Sequence, residues 1–154
     1  MDKKEIFDNL IKKVKEIVDD SSDRNEKLMR ICVLLRNEVP YYDWVGFYIA
    51  DESKNELVLG PFSGEPTEHV RIPFGKGICG QAAEKRHTFI VQDVSKEKNY
   101  LSCSPAVKSE IVVPIFKNEK IVGELDIDSH SYAPFTHEDK QFLEKICNII
   151  AKIF

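Results

Sequence analysis

The apolar residues of this chain repeat with two different periods, and the change between them limits the fold. Near both ends they recur every three to four residues, as on one face of an α-helix. Between the ends they alternate with other residues, as in a strand with one buried face. The pattern predicts helices at 3–19, 24–38, about 78–85 and 137–152, with about six strands between 43 and 127.

This order of elements predicts an α+β fold. Strands joined largely by hairpins form an antiparallel sheet, and the apolar stripes of the N- and C-terminal helices need one face of it. The other face is then free for a site. A loop is expected over 60–67, because this stretch contains two glycines and two prolines.

Composition places the chain among single-domain globular proteins. Its 154 residues predict one domain over 1–154. The net charge of −4 argues against nucleic acid or an anionic membrane as the main partner. No apolar run has the length of a membrane span, and the N-terminus lacks the apolar segment of a signal peptide. We therefore expect a cytoplasmic protein.

The four cysteines divide into two pairs. Cys32 and Cys147 lie on or beside the apolar stripes of predicted helices, so we expect small buried side chains there. Cys79 follows two glycines near the start of the short helix, and Cys103 lies in a long polar loop. None has the CxxC spacing of a metal site, so the cysteines predict no metal centre. In the cytoplasm a functional cysteine is more often redox-active or catalytic than part of a structural disulfide.

Each cysteine of the second pair has two interpretations. A helix N-terminus would lower the pKa of the Cys79 thiol and stabilise a thiolate. Alternatively, Cys79 is a small residue at a tight contact between helix and sheet. Cys103 is either reactive, in a mobile-looking loop, or an incidental surface thiol. Lysines 96, 98 and 108 are near it in sequence.

Acidic residues gather on one face of the last predicted strand. Asp126 and Asp128 share this face with Glu124, and their repulsion favours a bound cation, either a metal ion or the ammonium group of an amino-acid-like ligand. Glu110, on the neighbouring strand, would face away from Asp126 if a two-residue turn at 118–119 alone set the register. A longer loop or a β-bulge would reverse that relation.

Two aromatic residues lie on the outward-facing side of the first predicted strand. Trp44 and Tyr48 flank Gly46, which leaves a notch between two rings. The pattern is compatible with ordinary aromatic packing or with one wall of a ligand pocket.

Seven short motifs extend over nearly the whole chain. They are DWVGFY at 43–48, LVLGPF at 57–62, VRIP at 70–73, GKGICG at 75–80, SEIVVP at 109–114, GELDIDS at 123–129 and FT at 135–136. With these motifs the chain resembles the GAF-domain free methionine-(R)-sulfoxide reductases. GAF folds are widespread among sensors, so the fold alone indicates little about function. The cysteines, the glutamate and the LDIDS motif together are more specific to the reductases.

The resemblance implies an oxidoreductase that reduces free, not protein-bound, methionine-(R)-sulfoxide. It implies thioredoxin as reductant, no cofactor, and a homodimer formed through the terminal helices. Cys103 matches the attacking cysteine of the family and Cys79 a second redox cysteine. The acids that hold the substrate and the pocket aromatics match Glu110, Asp126, Asp128, Trp44 and Tyr48.

One position departs from the family pattern. Many members have a third redox cysteine just before the VRIP motif, where this chain has His69. Its absence leaves Cys79 as the resolving thiol for Cys103 and affects the recycling route. The expected chemistry is thiolate attack on sulfur with proton donation by a neighbouring acid such as Glu110, which gives a sulfenic acid and then a disulfide.

The alternative function is that of a non-catalytic GAF sensor that binds a small amino-acid-like ligand. Such a sensor could keep the aromatics and the acids without using its cysteines. The presence of both Cys79 and Cys103 favours the enzyme, whereas His69 in place of a cysteine weakly favours the sensor.

Overall fold

A six-stranded antiparallel sheet forms the centre of the structure, a computed structural model that describes residues 2–102 and 104–154. Its strands follow the order β3-β2-β1-β6-β5-β4. The strands are β1 (Trp44–Asp51), β2 (Glu56–Ser63), β3 (Arg71–Pro73), β4 (Phe89–Val91), β5 (Ser109–Lys117) and β6 (Lys120–Ser129). The helices are α1 (Lys3–Asp19), α2 (Arg24–Glu38), α3 (Gly77–Lys85) and α4 (His137–Ile150).

Helices α1, α2 and α4 pack together on one face of the sheet. Their apolar stripes form one buried cluster with the residues of β1, β5 and β6 that point to the same face, Val45 and Phe47 among them. The rings of Phe7 in α1 and Phe142 in α4 stack with their centres 4.0 Å apart. The predicted arrangement of the terminal helices is confirmed. No helix in the described ranges is both long and apolar enough to cross a membrane.

Helix α3 lies on the opposite face of the sheet. Ile78, Cys79 and Ala82 of this helix form a second buried cluster with Tyr48 and Leu57. This face was predicted to be free for a site, and here it has only a short helix and loops to cover it.

The observed bounds of the elements agree closely with those predicted, with one exception. Strand β2 continues to Ser63, so the loop predicted from residue 60 is wrong in its first part. Gly46 pairs with Phe62 and Tyr48 with Leu59, which leaves one more residue in β2 than in β1 between these pairs. Glycine and proline are tolerated at such bulges, and the strand therefore passes through Gly60 and Pro61 without ending.

The carboxylate of Asp139 joins three segments that are far apart in sequence. It accepts hydrogen bonds from the hydroxyls of Tyr41 at 2.7 Å and Tyr42 at 2.8 Å. Lys3 donates to it at 2.6 Å, and the backbone N–H of Thr136 donates at 2.9 Å in the capping box that begins α4. Burial opposes the ionisation of Asp139, but these donors outweigh it and lower the pKa of the carboxyl.

We predict that Asp139→Asn lowers the free energy of unfolding by about 2–4 kcal/mol, because it leaves donors of Lys3 and the tyrosines poorly matched in a buried place. Since the pKa is lowered in the folded state, the carboxylate stabilises the protein fully above its unfolded pKa of about 3.9, and this contribution is lost as the pH falls further. The variant should therefore lose less stability than the wild type between about pH 5 and pH 2.

Urea denaturation at several pH values measures both effects. Asp8→Asn serves as the control, because Asp8 pairs with Lys4 on the exposed surface of α1. Its effect should stay within about 0.5 kcal/mol. Equal losses in the two variants, or parallel pH profiles for Asp139→Asn and the wild type, would contradict the role assigned to Asp139.

Candidate active site

A β-bulge in β6 decides which acids share a face of the sheet. Lys117 pairs with Lys120 across the two-residue turn, yet Glu110 pairs with Asp128, one residue farther than the turn alone would give. The additional residue is Val122, which lies where the register shifts. The bulge that was predicted as necessary is present, and Glu110 therefore faces the same side as the acids of β6.

Four carboxyl groups consequently lie beneath α3 on this face. Glu110, Glu124, Asp126 and Asp128 are all buried, and Glu124 has no exposed surface. Glu110 comes from β5 and the other three come from alternate positions of β6. Burying so many acids is unfavourable unless a positive group or protons neutralise them.

The thiol of Cys79 points at these acids. Its Sγ donates a hydrogen bond to Glu110 Oε2 at 3.9 Å. The Sγ of Cys79 and one carboxylate oxygen each of Glu110 and Asp126 lie within 4.8 Å of one another. Gly80 allows α3 to pack closely against the end of β3, because a Cβ there would lie 2.6 Å from the carbonyl oxygen of Pro73. The structure thus brings the predicted redox cysteine next to two predicted substrate-binding acids.

Cys79, Glu110, Asp126 and Leu101 are among the residues that line a small cavity of about 20 Å³. Tyr48 lines it as well, and the Tyr48 hydroxyl donates to the carbonyl oxygen of His69 at 2.9 Å. A space of this size holds about one water molecule. The site is therefore closed in this conformation.

Trp44 is not among the residues that line this cavity. Its ring stacks on Phe62 with centres 5.4 Å apart, and its Nε1 donates to the carbonyl oxygen of Glu65 at 2.8 Å. The predicted notch above Gly46 is filled by the Trp44 ring itself, because a Cβ at Gly46 would lie 2.4 Å from Trp44 Cη2. Trp44 thus fixes the loop after β2 beside the site.

Asp128 also lies outside the cavity lining, although it belongs to the acid cluster. It pairs across the strands with Glu110, and the charge of Asp126 acts on it. Of the predicted binding residues, Glu110, Asp126 and Tyr48 line the cavity, whereas Asp128 and Trp44 do not.

The segment before Cys103 covers the cavity. Asn99 accepts a hydrogen bond from the backbone N–H of Gly77 at 2.8 Å and donates to the carbonyl oxygen of Gly75 at 2.7 Å. His69 Nε2 donates to the carbonyl oxygen of Ser102 at 2.9 Å. Cys103, the predicted nucleophile, lies outside the described residues. Sequence reasoning missed Asn99 and Leu101, because no periodic pattern marks a loop that acquires its contacts only in the folded chain.

The electrostatics of the site favour neutral groups. Burial raises the pKa of the Cys79 thiol well above its usual value, and the charges of Asp126 and Glu110 raise it further. Of the two interpretations of Cys79, this conformation favours a buried residue at a tight contact between helix and sheet over a thiolate at a helix N-terminus. Burial likewise raises the pKa values of Glu124, Asp126 and Asp128.

The other two cysteines in the described ranges are buried on the opposite face of the sheet, as predicted. Cys32 lies in the helical core with its thiol donating to the carbonyl oxygen of Pro61 at 3.5 Å. Cys147 contacts the carbonyl oxygen of Val113 at 3.8 Å. Burial raises the pKa of both thiols, which keeps them protonated.

Comparisons with known proteins find matches over most of the chain. The model of the GAF domain family matches residues 23–154. A free methionine-R-sulfoxide reductase of Escherichia coli is 33% identical over 153 residues, which cover 99% of this chain and 91% of the relative. Both matches cover the site described above.

Two solved structures have the same fold at substantial identity. The free methionine-R-sulfoxide reductase of Neisseria meningitidis, in complex with its substrate, has a TM-score of 0.94 at 36% identity and covers 100% of this chain and 91% of its own. The reduced form of the Staphylococcus aureus enzyme has a TM-score of 0.88 at 42% identity, with coverages of 96% and 94%. The chain belongs to the GAF-domain family and, within it, to the free methionine-(R)-sulfoxide reductases.

Proposed function

We propose that this protein reduces free methionine-(R)-sulfoxide to methionine, with Cys103 as the nucleophile and Cys79 as the resolving thiol. The main support is the meeting of Cys79, Glu110 and Asp126 in one buried cavity. A signalling sensor needs the acids to bind an amino acid but has no need of a thiol among them. We further propose that the enzyme works in the cytoplasm as a homodimer through α1 and α4.

The acids explain why a free amino acid would be preferred. Asp126 Oδ1 is buried and has no hydrogen-bond partner in the part of the chain that the structure describes. A substrate ammonium group carries three donors and a positive charge, and so would satisfy this oxygen and offset the repulsion within the cluster. A methionine inside a protein has an amide at that position and would leave the acids without a cation.

Substrate entry requires the covering segment to move. The cavity of about 20 Å³ is several times smaller than an amino acid. Opening would break the hydrogen bonds that Asn99 makes with the start of α3 and the one between His69 and Ser102. These contacts lie beside the proposed nucleophile in sequence, so opening the site and presenting Cys103 would be one movement.

The reaction then proceeds in three steps. The Cys103 thiolate attacks the sulfoxide sulfur while Glu110 gives a proton to the sulfoxide oxygen, and that oxygen ends on Cys103 as a sulfenic acid when methionine leaves. Cys79 attacks the sulfenic sulfur, water leaves, and a disulfide forms. Thioredoxin reduces the disulfide by thiol exchange, which returns both cysteines to thiols.

The activity is tested with racemic free methionine sulfoxide and dithiothreitol as reductant. We expect the R epimer to disappear while the S epimer remains, as measured by chiral chromatography, because the acids and the cysteine fix the orientation of the bound substrate. A methionine sulfoxide residue within a peptide should not react. Consumption of neither epimer by the reduced protein would overturn the proposed function.

The two cysteines should differ in single-turnover experiments. Cys103→Ser should release no methionine, because a hydroxyl cannot replace the thiolate at neutral pH. Cys79→Ser should release about one methionine per subunit and then stall with thioredoxin, since no disulfide can form. Cys32→Ser is the matched control, since Cys32 is buried on the other face of the sheet and its variant should keep full turnover. Activity in Cys103→Ser would refute the assignment of the nucleophile.

Loss of charge at Asp126 should weaken substrate binding. We predict that Asp126→Asn raises KM at least about tenfold, because a charge-assisted hydrogen bond to a buried carboxylate contributes about 1.5–3 kcal/mol. Steady-state kinetics with dithiothreitol measure the effect. Asp19→Asn, which removes an exposed carboxylate paired with Lys152, should leave KM unchanged. A wild-type KM in Asp126→Asn would remove Asp126 from the binding site.

A further inference from the structure

One sulfur and two carboxylate oxygens that could bind a metal ion lie close together at the cavity beneath α3. The Sγ of Cys79 and one carboxylate oxygen each from Glu110 and Asp126 lie within 4.8 Å of one another, and all three side chains are buried. They belong to three elements, α3, β5 and β6, so packing and strand register hold them in place rather than one flexible loop.

Unpartnered oxygens supply a second observation. Asp126 Oδ1 and both carboxylate oxygens of Glu124 are buried without a hydrogen-bond partner among the described residues. Buried polar atoms without partners are rare in folded proteins. Because Asp126 itself lines the cavity, a ligand there could bind its unpartnered oxygen. Glu124 is the next inward-facing residue of the same strand, so a cation at Asp126 would lie close to two buried carboxyl groups.

We propose that the reduced protein binds a zinc ion through Cys79, Glu110 and Asp126. Magnesium and calcium prefer shells of six or more oxygen ligands, whereas zinc accepts sulfur and oxygen together in a tetrahedron. Tetrahedral zinc with its usual bond lengths places a sulfur and an oxygen ligand roughly 3.6 Å apart. The observed distance from Cys79 Sγ to Glu110 Oε2 is 3.9 Å, close to this value. The three ligand atoms lie within 4.8 Å of one another, so binding would draw the set inward.

The cavity has the right size for this ion. Its volume of about 20 Å³ admits one ion. A water as the fourth zinc ligand would need a small outward shift of the segment that covers the cavity. The cysteine spacing in the sequence gave no sign of such a site, because its ligands come from parts of the chain 31 and 16 residues apart, Cys79 to Glu110 and Glu110 to Asp126. Binding replaces the proton of the Cys79 thiol, which passes to solvent.

Zinc at this place would inhibit the enzyme. It would occupy the carboxylates that the substrate ammonium needs and would hold the sulfur of Cys79 in a metal bond, so that this thiol could not attack a sulfenic acid. The inhibition rests on the proposed function, whereas the binding itself does not.

Cadmium titration of the reduced full chain in metal-free buffer tests the site, because cadmium bound to a thiolate gives an ultraviolet charge-transfer band. We expect one cadmium ion per subunit, no band in Cys79→Ser, and an unchanged band in Cys32→Ser, Cys147→Ser and Cys103→Ser. Competition with a chromophoric chelator should show that Asp126→Asn weakens zinc binding at least about tenfold, since loss of even an outer-shell partner weakens metal binding 10–100-fold. Circular dichroism checks that each variant is folded.

A full cadmium band in folded Cys79→Ser, or its loss in Cys103→Ser alone, would overturn the proposed ligand set. Unchanged zinc affinity in Asp126→Asn would do the same, even if Cys79→Ser failed to fold. Because these measurements need no substrate, the two proposals can fail separately. An active enzyme that binds no cadmium refutes only the metal site, and a protein that binds cadmium but reduces neither epimer refutes only the proposed function.

Discussion

The site depends on one additional residue in β6. Side chains alternate between the two faces of a sheet, so a shift of one residue exchanges the faces of all that follow. The bulge at Val122 provides this shift and brings Glu110 to the same face as Asp126 and Asp128. The same β6 register leaves Leu125 in the core with the helices. A single local irregularity thus satisfies both the core and the site.

The buried acids of the site are energetically unfavourable in their charged form. Desolvation raises the pKa of Glu124 and of the Cys79 thiol, so the cluster lowers its energy by keeping protons. These are the groups a sulfoxide reductase needs, since reduction of a sulfoxide to a sulfide and water consumes protons at the oxygen. The unfavourable burial in the resting state and the ability to donate protons therefore have the same cause.

Periodicity predicted the sheet, the helices and the face they share, because each apolar stripe needs a partner and the stripes of α1 and α4 are long. The alternation of side chains also showed that Glu110 and Asp126 share a face of the sheet only if a longer loop or a β-bulge shifts the register. It could not locate the bulge, since Val122 is an ordinary strand residue whose special position depends on pairing with β5. It could not decide between the two interpretations of Cys79, because a helix N-terminus can be recognised from the local sequence, whereas burial among acids from other strands cannot.

His69 contacts the segment that covers the cavity, and it lies where many family members have a third redox cysteine. Its imidazole holds the carbonyl group of Ser102, so the position still contacts the segment that leads to residue 103 although it has no thiol. A disulfide relay through residue 69 is therefore impossible. Cys79 in α3 is only 4% exposed, so in the proposed mechanism a protein reductant would reach its disulfide only after the covering segment opens. Opening of the same segment would then serve both substrate entry and reduction.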